Sequence, residues 1–305
     1  MTPAFLHRSG LFCACALAIA AAFPAWAASD VPVTVGTLTD RHLAEVSGFA
    51  ASRAHPGLLW AENDSGNPAD VYLIEPSGTL RMTLHIDGAM NIDWEDFASF
   101  DDHGHHYLLL ADTGDNFALR PWSAIHVIEE PERIADAHAK PAWSITFRWP
   151  EGARDCEAVA VDVASNSILL ISKRTVPARL YRLPLHPDGK GIQVAQPLAD
   201  LVGIVQPDKT QSADKSPHGR YRAQVTAADV APDRSALAVL TYHAIYLYPR
   251  PPDLDWAQAV ASTPRVISFG PMRQAEAMAW SLDGHSLYVS GEQLPAPIRH
   301  IDLTR

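Results

Sequence analysis

A four-part pattern of short apolar segments recurs five times along the chain, and it limits the fold more than any other feature. Each unit opens with polar residues that lead into small and apolar ones, in EVSGFAAS, DWEDFASFDD, DCEAVAVDVAS, QVTAADVAPD and QAEAMAWSLDG. Alternating segments rich in Val, Ile, Leu and Tyr follow each opening and are separated by Gly, Pro, Asp or Asn. This alternation between turn residues is typical of β-strands. The sequence therefore predicts an all-β chain of four-stranded units.

The last unit is incomplete, because the sequence ends at PIRHIDLTR after three segments. The segment VPVTVGTLTD (31–40) precedes the first unit and belongs to none. A strand from the other end of the chain completes the last blade of a β-propeller and removes an exposed sheet edge. We predict a β-propeller of five four-stranded blades closed by this N-terminal strand. A β-sandwich is the alternative fold, and residues 203–222 form either an inter-blade loop or a degenerate sixth blade.

The first 27 residues have the pattern of a secretory signal peptide. A weakly basic start precedes an apolar run from Leu11 to Phe23, and small residues occupy positions 25 and 27. The run is shorter than the roughly 20 apolar residues that a membrane span needs. We expect residues 1–27 to be removed, residues 28–305 to form one propeller domain, and the protein to be periplasmic or secreted, with no membrane span.

The charge balance favours cationic partners. The formal net charge is −11, from 35 acidic and 24 basic residues, and no long basic cluster is present. Nucleic-acid binding depends on Lys and Arg that neutralise phosphates, so a nucleic-acid partner is not expected. Metal ions suit this composition better, although net charge reports on steering more than on fold. We expect the protein to be a monomer.

Polar residues recur at matched positions of the five units. In a propeller, the first strand of each blade lines the central channel and begins on the face where the second strand ends, so both positions share one face of the ring. Aligned residues of the five openings are Ser47, Glu95, Glu157, Thr226 and Glu276, preceded two residues earlier by Glu45, Asp93, Asp155, Gln224 and Gln274. The second-strand exits add Asn63, Asp64, Asp112, Asp115, Asn116, Lys173, Arg174, Thr241, Tyr242, Glu292 and Gln293.

Carboxylates that face one channel repel each other, and this repulsion raises their pKa values unless a cation or hydrogen bonds offset it. Carboxylate, amide and hydroxyl oxygens suit Ca²⁺, whereas zinc prefers His or Cys. We therefore predict a Ca²⁺ site at the channel mouth. Its predicted ligands are Glu95, Glu157, Glu276, Asn63, Asp64 and Asp112. The alternative is that these residues only connect the blades through hydrogen bonds to backbone and water.

Several stretches resemble a group of secreted bacterial β-propeller proteins, mostly uncharacterised. The stretches are LAEVSGFAAS, LWAENDSGN, IDWEDFA, LLLADTGDNFALR and IHVIEEP. They match the hallmarks ExSGLA, NDSG, DWED and GDxGDN over most of residues 42–131, with Ala111 replacing the first glycine of the last motif. The resemblance implies a propeller fold, export, and a site on the top face.

The predicted architecture is more loosely similar to calcium-dependent toroids such as gluconolactonase, paraoxonase and the phytase-like esterases. In those proteins acidic and amide residues hold calcium at the channel, and the ring usually has six blades. Their catalytic motifs do not align with this sequence residue by residue. This similarity implies a calcium site in the channel and leaves the activity open.

Two functional hypotheses follow. The first is a calcium-dependent hydrolase of a small phosphoester, ester or lactone, in which Glu157 or Asp93 activates water and Lys173 and Arg174 bind an anionic group. The second is a non-catalytic propeller that binds a glycan, a peptide or an envelope protein. Fold alone does not decide between them.

Two tryptophans bear on the second hypothesis. Trp60 and Trp94 flank the acidic residues in the sequence. They could stack against a sugar or an apolar ligand, or they could pack between the blades.

Overall fold

The computed structural model describes Met1 and residues 31–189 and 191–304. Apart from Met1, the predicted signal peptide lies outside these residues. The strands in chain order are β1 (Val33–Leu38), β2 (Val46–Ala51), β3 (Leu59–Asn63), β4 (Asp70–Ile74), β5 (Leu80–Ile86), β6 (Trp94–Asp102), β7 (His105–Asp112), β8 (Ser123–Glu129), β9 (Ala137–Ala139), β10 (Trp143–Arg148), β11 (Cys156–Asp162), β12 (Ser167–Ser172), β13 (Arg179–Pro184), β14 (Gln193–Val194), β15 (Gln196–Asp200), β16 (Val225–Val230), β17 (Ala236–Thr241), β18 (Ile245–Pro249), β19 (Arg265–Ile267), β20 (Ala275–Trp280), β21 (Ser286–Gly291) and β22 (Ala296–Asp302).

In residues 31–189 and 191–304, helical structure is sparse and lies between the strands. Two short α-helices, α1 (Lys209–Ala213) and α2 (Trp256–Val260), begin at the capping boxes of Asp208 and Asp255. Two 3₁₀ turns cover Arg41–Leu43 and Val163–Ser165. Within the described part of the chain, no helix has both the length and the apolar character needed to cross a membrane.

The strands form five antiparallel four-stranded blades, which confirms the predicted five-blade β-propeller. Blade 1 contains β2–β5, and blade 2 contains β6, β7, β8 and β10. Blade 3 contains β11, β12, β13 and β15, and blade 4 contains β16–β19. Blade 5 contains β20, β21, β22 and β1. Residues 203–222 contain α1 and form no blade, so neither the sandwich nor the six-blade alternative holds.

The N-terminal strand completes the last blade, as predicted. Strand β1 pairs antiparallel with β22, from Val33 opposite His300 to Leu38 opposite Ala296. Because this pairing covers the outer edge of β22, the last blade has the same four strands as the others.

Two blades carry a fifth strand that the sequence analysis did not predict. Strand β9 pairs in parallel with β5 of blade 1, although it belongs to the connection between β8 and β10 of blade 2. Strand β14 likewise pairs in parallel with β10 of blade 2, and it belongs to the connection between β13 and β15 of blade 3. In both places a connection within one blade covers the outer edge of the preceding blade.

Apolar contacts between neighbouring blades form the core. Each of the five buried clusters draws its residues from two adjacent blades. Phe49 of blade 1, for example, packs in one cluster with Ala277 and Ile298 of blade 5. Burying one such large side chain contributes about 1.5–3 kcal/mol. The ring is therefore held by five similar interfaces around the channel.

Every innermost strand has a register irregularity near its start, at the opening positions that the sequence alignment matched. The irregularities lie between Val46 and Gly48, Trp94 and Asp96, Cys156 and Val159, Val225 and Ala227, and Ala275 and Ala277. A β-bulge re-aims a side chain and is frequent beside functional sites. The bulges therefore fix where the opening residues point.

Candidate functional site

A cavity of about 280 Å³ lies at the channel mouth, where the bulged strand openings meet the second-strand exits. Most of its lining is charged or polar. The lining residues are Asp64, Glu95, Asn116, Glu157, Lys173, Arg174, Pro217, Tyr221, Gln224, Tyr242, Gln274, Glu276 and Glu292. The structure thus brings together three channel glutamates and both basic residues that the sequence analysis selected.

The five matched opening residues have two different roles. Ser47 Oγ donates a hydrogen bond to the backbone oxygen of Glu95 at 2.7 Å, and Thr226 Oγ1 donates to that of Ala275 at 2.7 Å. These hydroxyls connect neighbouring blades, as the alternative interpretation of the polar residues proposed. The three glutamates at the same position line the cavity instead.

Glu95 belongs to two groups of carboxylates. Oxygens of Asp64, Asp93 and Glu95 lie within 4.8 Å of one another, and the same limit holds for Glu95, Asp155 and Glu157. Among the described residues, none donates a hydrogen bond to the Glu95 side chain. The five carboxylates therefore form one continuous set of hard oxygen donors centred on Glu95.

Gly114 leaves room for two of these carboxylates. A Cβ at this position would collide with Glu95 Oε1 and would lie 2.5 Å from the Asp93 carboxylate. The backbone N–H of Gly114 also donates to the carbonyl of Asp93 at 3.0 Å. A larger residue here would push the two carboxylates from their positions, so the glycine of the ADTGDN segment helps to shape the site.

Burial and mutual repulsion raise the pKa values of the clustered acids. Burial raises the pKa of Glu95 well above its usual value, and the neighbouring Glu157 adds to the shift. Burial, reinforced by Asp64, raises the pKa of Asp93 to about 6. Negative charge is thus disfavoured at this mouth, and a bound cation would relieve the repulsion.

Lys173 forms a buried ion pair with Glu157 on the blade 3 side of the cavity. Burial disfavours the charge of Lys173, but the surrounding acids, led by Glu157, outweigh that effect and raise its pKa. Burial raises the pKa of Glu157 to about 8, although Lys173 opposes this shift. The ammonium also lies 5.4 Å from the centre of the Tyr242 ring, whose hydroxyl donates to Glu276 Oε1 at 2.7 Å.

Arg174 is also paired with an acid. Its Nε lies 2.6 Å from Asp155 Oδ2, and its Nη2 donates to the Asn116 side chain. Asp155 Oδ1 accepts the backbone N–H of Asp115 at 2.9 Å. The guanidinium is therefore held in place at the rim of the cavity.

Two predicted ligands do not line the cavity. Asp112 Oδ1 lies 2.7 Å from Arg120 Nη1, a cation that the sequence analysis did not consider. Asn63 Nδ2 donates to the backbone oxygen of His42 at 2.7 Å, and its buried Oδ1 has no hydrogen-bond partner among the described residues. Both residues lie beside the acidic set, and each has at least one polar group in a hydrogen bond or an ion pair.

Four further residues lie at the cavity, and two of them, Tyr221 and Pro217, were not predicted from the sequence. Tyr221 and Pro217 reach the cavity from the 203–222 loop, which carries no strand signal. Burial and the nearby Glu276 raise the pKa of Glu292 to about 9, and Gln274 Nε2 donates to Glu292 Oε2 at 2.8 Å. In the sequence, only the matched positions of the repeat pointed to Glu292 and Gln274.

Glu62 is a further buried acid that the repeat gave no reason to select. Within the part of the chain that the structure describes, neither of its carboxyl oxygens has a hydrogen-bond partner. Burial raises its pKa well above the usual value, with Asp64 as the next contribution. Its Oε1 lies 2.8 Å from where a Cβ on Gly48 would be, so the glycine accommodates this carboxyl.

The two tryptophans pack between the blades and cannot stack a ligand. Trp60 and Trp94 are fully buried in the cluster shared by blades 1 and 2. Trp60 Nε1 donates to Glu130 Oε1 at 2.8 Å. Of the two roles considered for them, ligand stacking is therefore wrong.

Neither the scan against protein-family models nor the search of curated proteins gives a match. The five-blade ring agrees with the general propeller architecture that the motifs imply.

Proposed function

We propose that the channel mouth binds Ca²⁺ and that the protein is a calcium-dependent hydrolase of a small phosphoester, ester or lactone. The observation that supports the proposal best is the convergence of Asp64, Asp93 and Glu95 within 4.8 Å around the space that Gly114 leaves. None of the described histidines lines the cavity. A site made only of oxygen donors suits Ca²⁺, which takes six to eight of them, better than zinc.

Asp64, Asp93 and Glu95 would hold the ion, and Asp155 and Glu157 lie close to Glu95. When bound, Ca²⁺ would supply positive charge that polarises a scissile ester or phosphoryl oxygen. These five carboxylates come from the first strands of blades 2 and 3 and from the exit of blade 1, so the ion would also lie close to three blades.

Glu157 and Lys173 would supply the remaining chemistry. Glu157 lines the cavity, and its carboxylate would accept a proton from the attacking water. The Lys173 ammonium stabilises that carboxylate before the transfer and would face the negative charge that develops on the substrate afterwards. Arg174, at the rim, would bind an anionic substituent of the substrate.

A second candidate function is a binding propeller in which the ion is only structural. It is favoured by the ion pairs of both basic residues, since Lys173 is paired with Glu157 and Arg174 with Asp155. Neither residue needs a substrate anion for charge balance. The excess of carboxylates around the cavity then favours a ligand with a cationic group, such as a peptide.

A turnover screen separates the two functions. Purified protein would be offered aryl phosphates, phosphodiesters, aryl esters and lactones, with Ca²⁺ or with a chelator. We expect calcium-dependent turnover that Glu157→Gln and Lys173→Ala each reduce at least tenfold, since each removes one group that acts on the reacting atoms.

Glu129→Gln is the matched control, because Glu129 is an exposed carboxylate outside the cavity. It should leave turnover unchanged. Activity that survives both cavity substitutions would contradict the proposal. Calcium binding without turnover on any of the four classes would favour the binding propeller.

A further inference from the structure

A second cluster of metal-binding side chains lies where the fifth strand joins blade 1. Ligand atoms of His85, Asp87 and His138 lie within 4.8 Å of one another. His85 is near the end of β5, Asp87 directly follows that strand, and His138 is the middle residue of β9. The group is separate from the channel cavity, whose lining contains none of these residues.

The strand pairing fixes the positions of these three side chains. His85 and His138 are register partners in the parallel pair of β5 and β9. Adjacent strands lie about 4.8 Å apart, and partnered side chains project from the same face of the sheet. Asp87 is two residues beyond His85 and therefore shares this face. Its backbone N–H donates to Ala139 O at 2.7 Å and continues the ladder.

The side-chain distances match the spacing of ligands around a small metal ion. His138 Nδ1 lies 3.0 Å from Asp87 Oδ1, and His85 Nε2 lies 3.9 Å from the same oxygen. Tetrahedral ligands at zinc distances of about 2.0–2.1 Å are about 3.3 Å apart. The two distances lie on either side of this value, and the third pair of ligand atoms is within 4.8 Å.

Asp70 orients one of the histidines. The Nδ1 of His85 lies 2.6 Å from Asp70 Oδ1, and Asp70 is largely buried. A carboxylate at Nδ1 holds the proton there and leaves the Nε2 lone pair free for a metal. The free nitrogen is the one nearer to Asp87. Metal-ligating histidines usually donate their other ring N–H to such a carboxylate.

We propose that His85, Asp87 and His138 bind Zn²⁺, with Asp70 orienting His85. The ion would link blade 1 to β9, which lies in the loop between β8 and β10 of blade 2. Two imidazoles and one carboxylate favour zinc over Ca²⁺, because nitrogen ligands suit borderline-soft ions. The groove beside the cluster, with a volume of about 450 Å³, leaves room for water as a fourth ligand. The inference does not depend on the function proposed for the channel.

The test is equilibrium dialysis of chelator-treated protein against Zn²⁺, with metal counted by mass spectrometry. We expect one ion per chain at a free concentration of about 100 µM or below. His85→Gln, Asp87→Asn and His138→Gln should each weaken binding at least tenfold. Co²⁺ at the same site should give the intense visible bands of tetrahedral coordination in the wild type and lose them in His138→Gln.

Two matched controls locate the ion. His105→Gln removes another exposed histidine paired with a carboxylate, Glu129, at 2.7 Å. Glu95→Gln removes the central acid of the channel mouth. Both variants should bind Zn²⁺ as the wild type does. No bound zinc at about 100 µM, or binding that persists in His138→Gln, would overturn the proposal.

Discussion

Glu95 and Asp96 are neighbours in the DWED segment, and both side chains are buried, but they face different surroundings. Asp96 Oδ1 accepts the N–H of Phe97 at 2.8 Å. Its Oδ2 accepts those of Val159 at 2.7 Å and Ala228 at 3.1 Å, from the inner strands of blades 3 and 4. The Glu95 side chain accepts no hydrogen bond from the described residues and faces other carboxylates.

The comparison shows that burial alone does not mark a ligand site. Burial raises the pKa of both acids well above their usual values, and at Asp96 the three backbone donors oppose the shift. Asp96 connects blades, since its oxygens are occupied by N–H groups. The Glu95 side chain has no hydrogen-bond donor among the described residues, and Lys173 only partly offsets the effects of burial and the nearby carboxylates on its pKa. A bound cation would relieve the remaining repulsion. The β-bulge turns one side chain to the mouth and leaves the next within the ring.

The largest expected effect is the loss of the Asp96 junction. Asp96→Ala removes the acceptor of three buried backbone N–H groups, one each from blades 2, 3 and 4, at a cost of about 1–3 kcal/mol each. We expect a fall of several kcal/mol in the free energy of unfolding, measured by urea denaturation. Glu95→Ala, the matched control one residue away, should change stability far less.

If Asp96→Ala does not fold, Asp96→Asn keeps one acceptor oxygen and should give an intermediate stability. Equal stabilities for the Asp96 and Glu95 variants would contradict the distinction between the two acids.

A smaller effect should appear in the pH dependence of the calcium-free protein. The folded-state pKa values are about 6 for Asp93, 8 for Glu157 and 9 for Glu292, against ordinary values of 3.8, 4.5 and 4.5. The folded state therefore binds protons more tightly than the unfolded state. The contribution of these three acids to the free energy of unfolding is present at low pH and is lost as pH rises through their folded-state pKa values.

We expect the melting temperature of chelated protein to fall between pH 5 and pH 9. Added Ca²⁺ should reduce the fall, because a bound cation favours the ionised carboxylates. Scanning calorimetry in the presence and absence of a chelator tests this. A calcium-free melting temperature that rises over the same range would contradict the raised pKa values.

Much of the fold could be predicted from sequence, because each blade repeats the same strand opening. The closing strand at 31–40 was predictable since the last unit lacks a fourth segment. Strands β9 and β14 were not, because three and two residues are too few for an alternation to show. Their pairing depends on where the connections reach the neighbouring blade.

The candidate site was predictable only in part. The repeat located Glu95, Glu157 and Glu276, whose positions follow from the strand openings. It could not show that Arg120 pairs with Asp112, since this contact depends on the loop after β7. The proximity of His85 to His138 could not be predicted for a similar reason. It depends on the parallel pairing of two strands that are far apart in the sequence.

Calcium titration by isothermal calorimetry tests the central claim most directly. Chelated wild-type protein should bind one Ca²⁺ per chain, and Glu95→Gln should weaken binding at least tenfold. Gly114→Ala should also weaken it, because its Cβ enters the space of the Asp93 and Glu95 carboxylates, whereas the exposed Gly189→Ala should not. Ser47→Ala, at the matched bulge of blade 1, should bind as the wild type does. If the protein binds no calcium up to millimolar concentrations, the assignment of the channel mouth as a calcium site is contradicted. The same holds if Glu95→Gln binds calcium as tightly as the wild type.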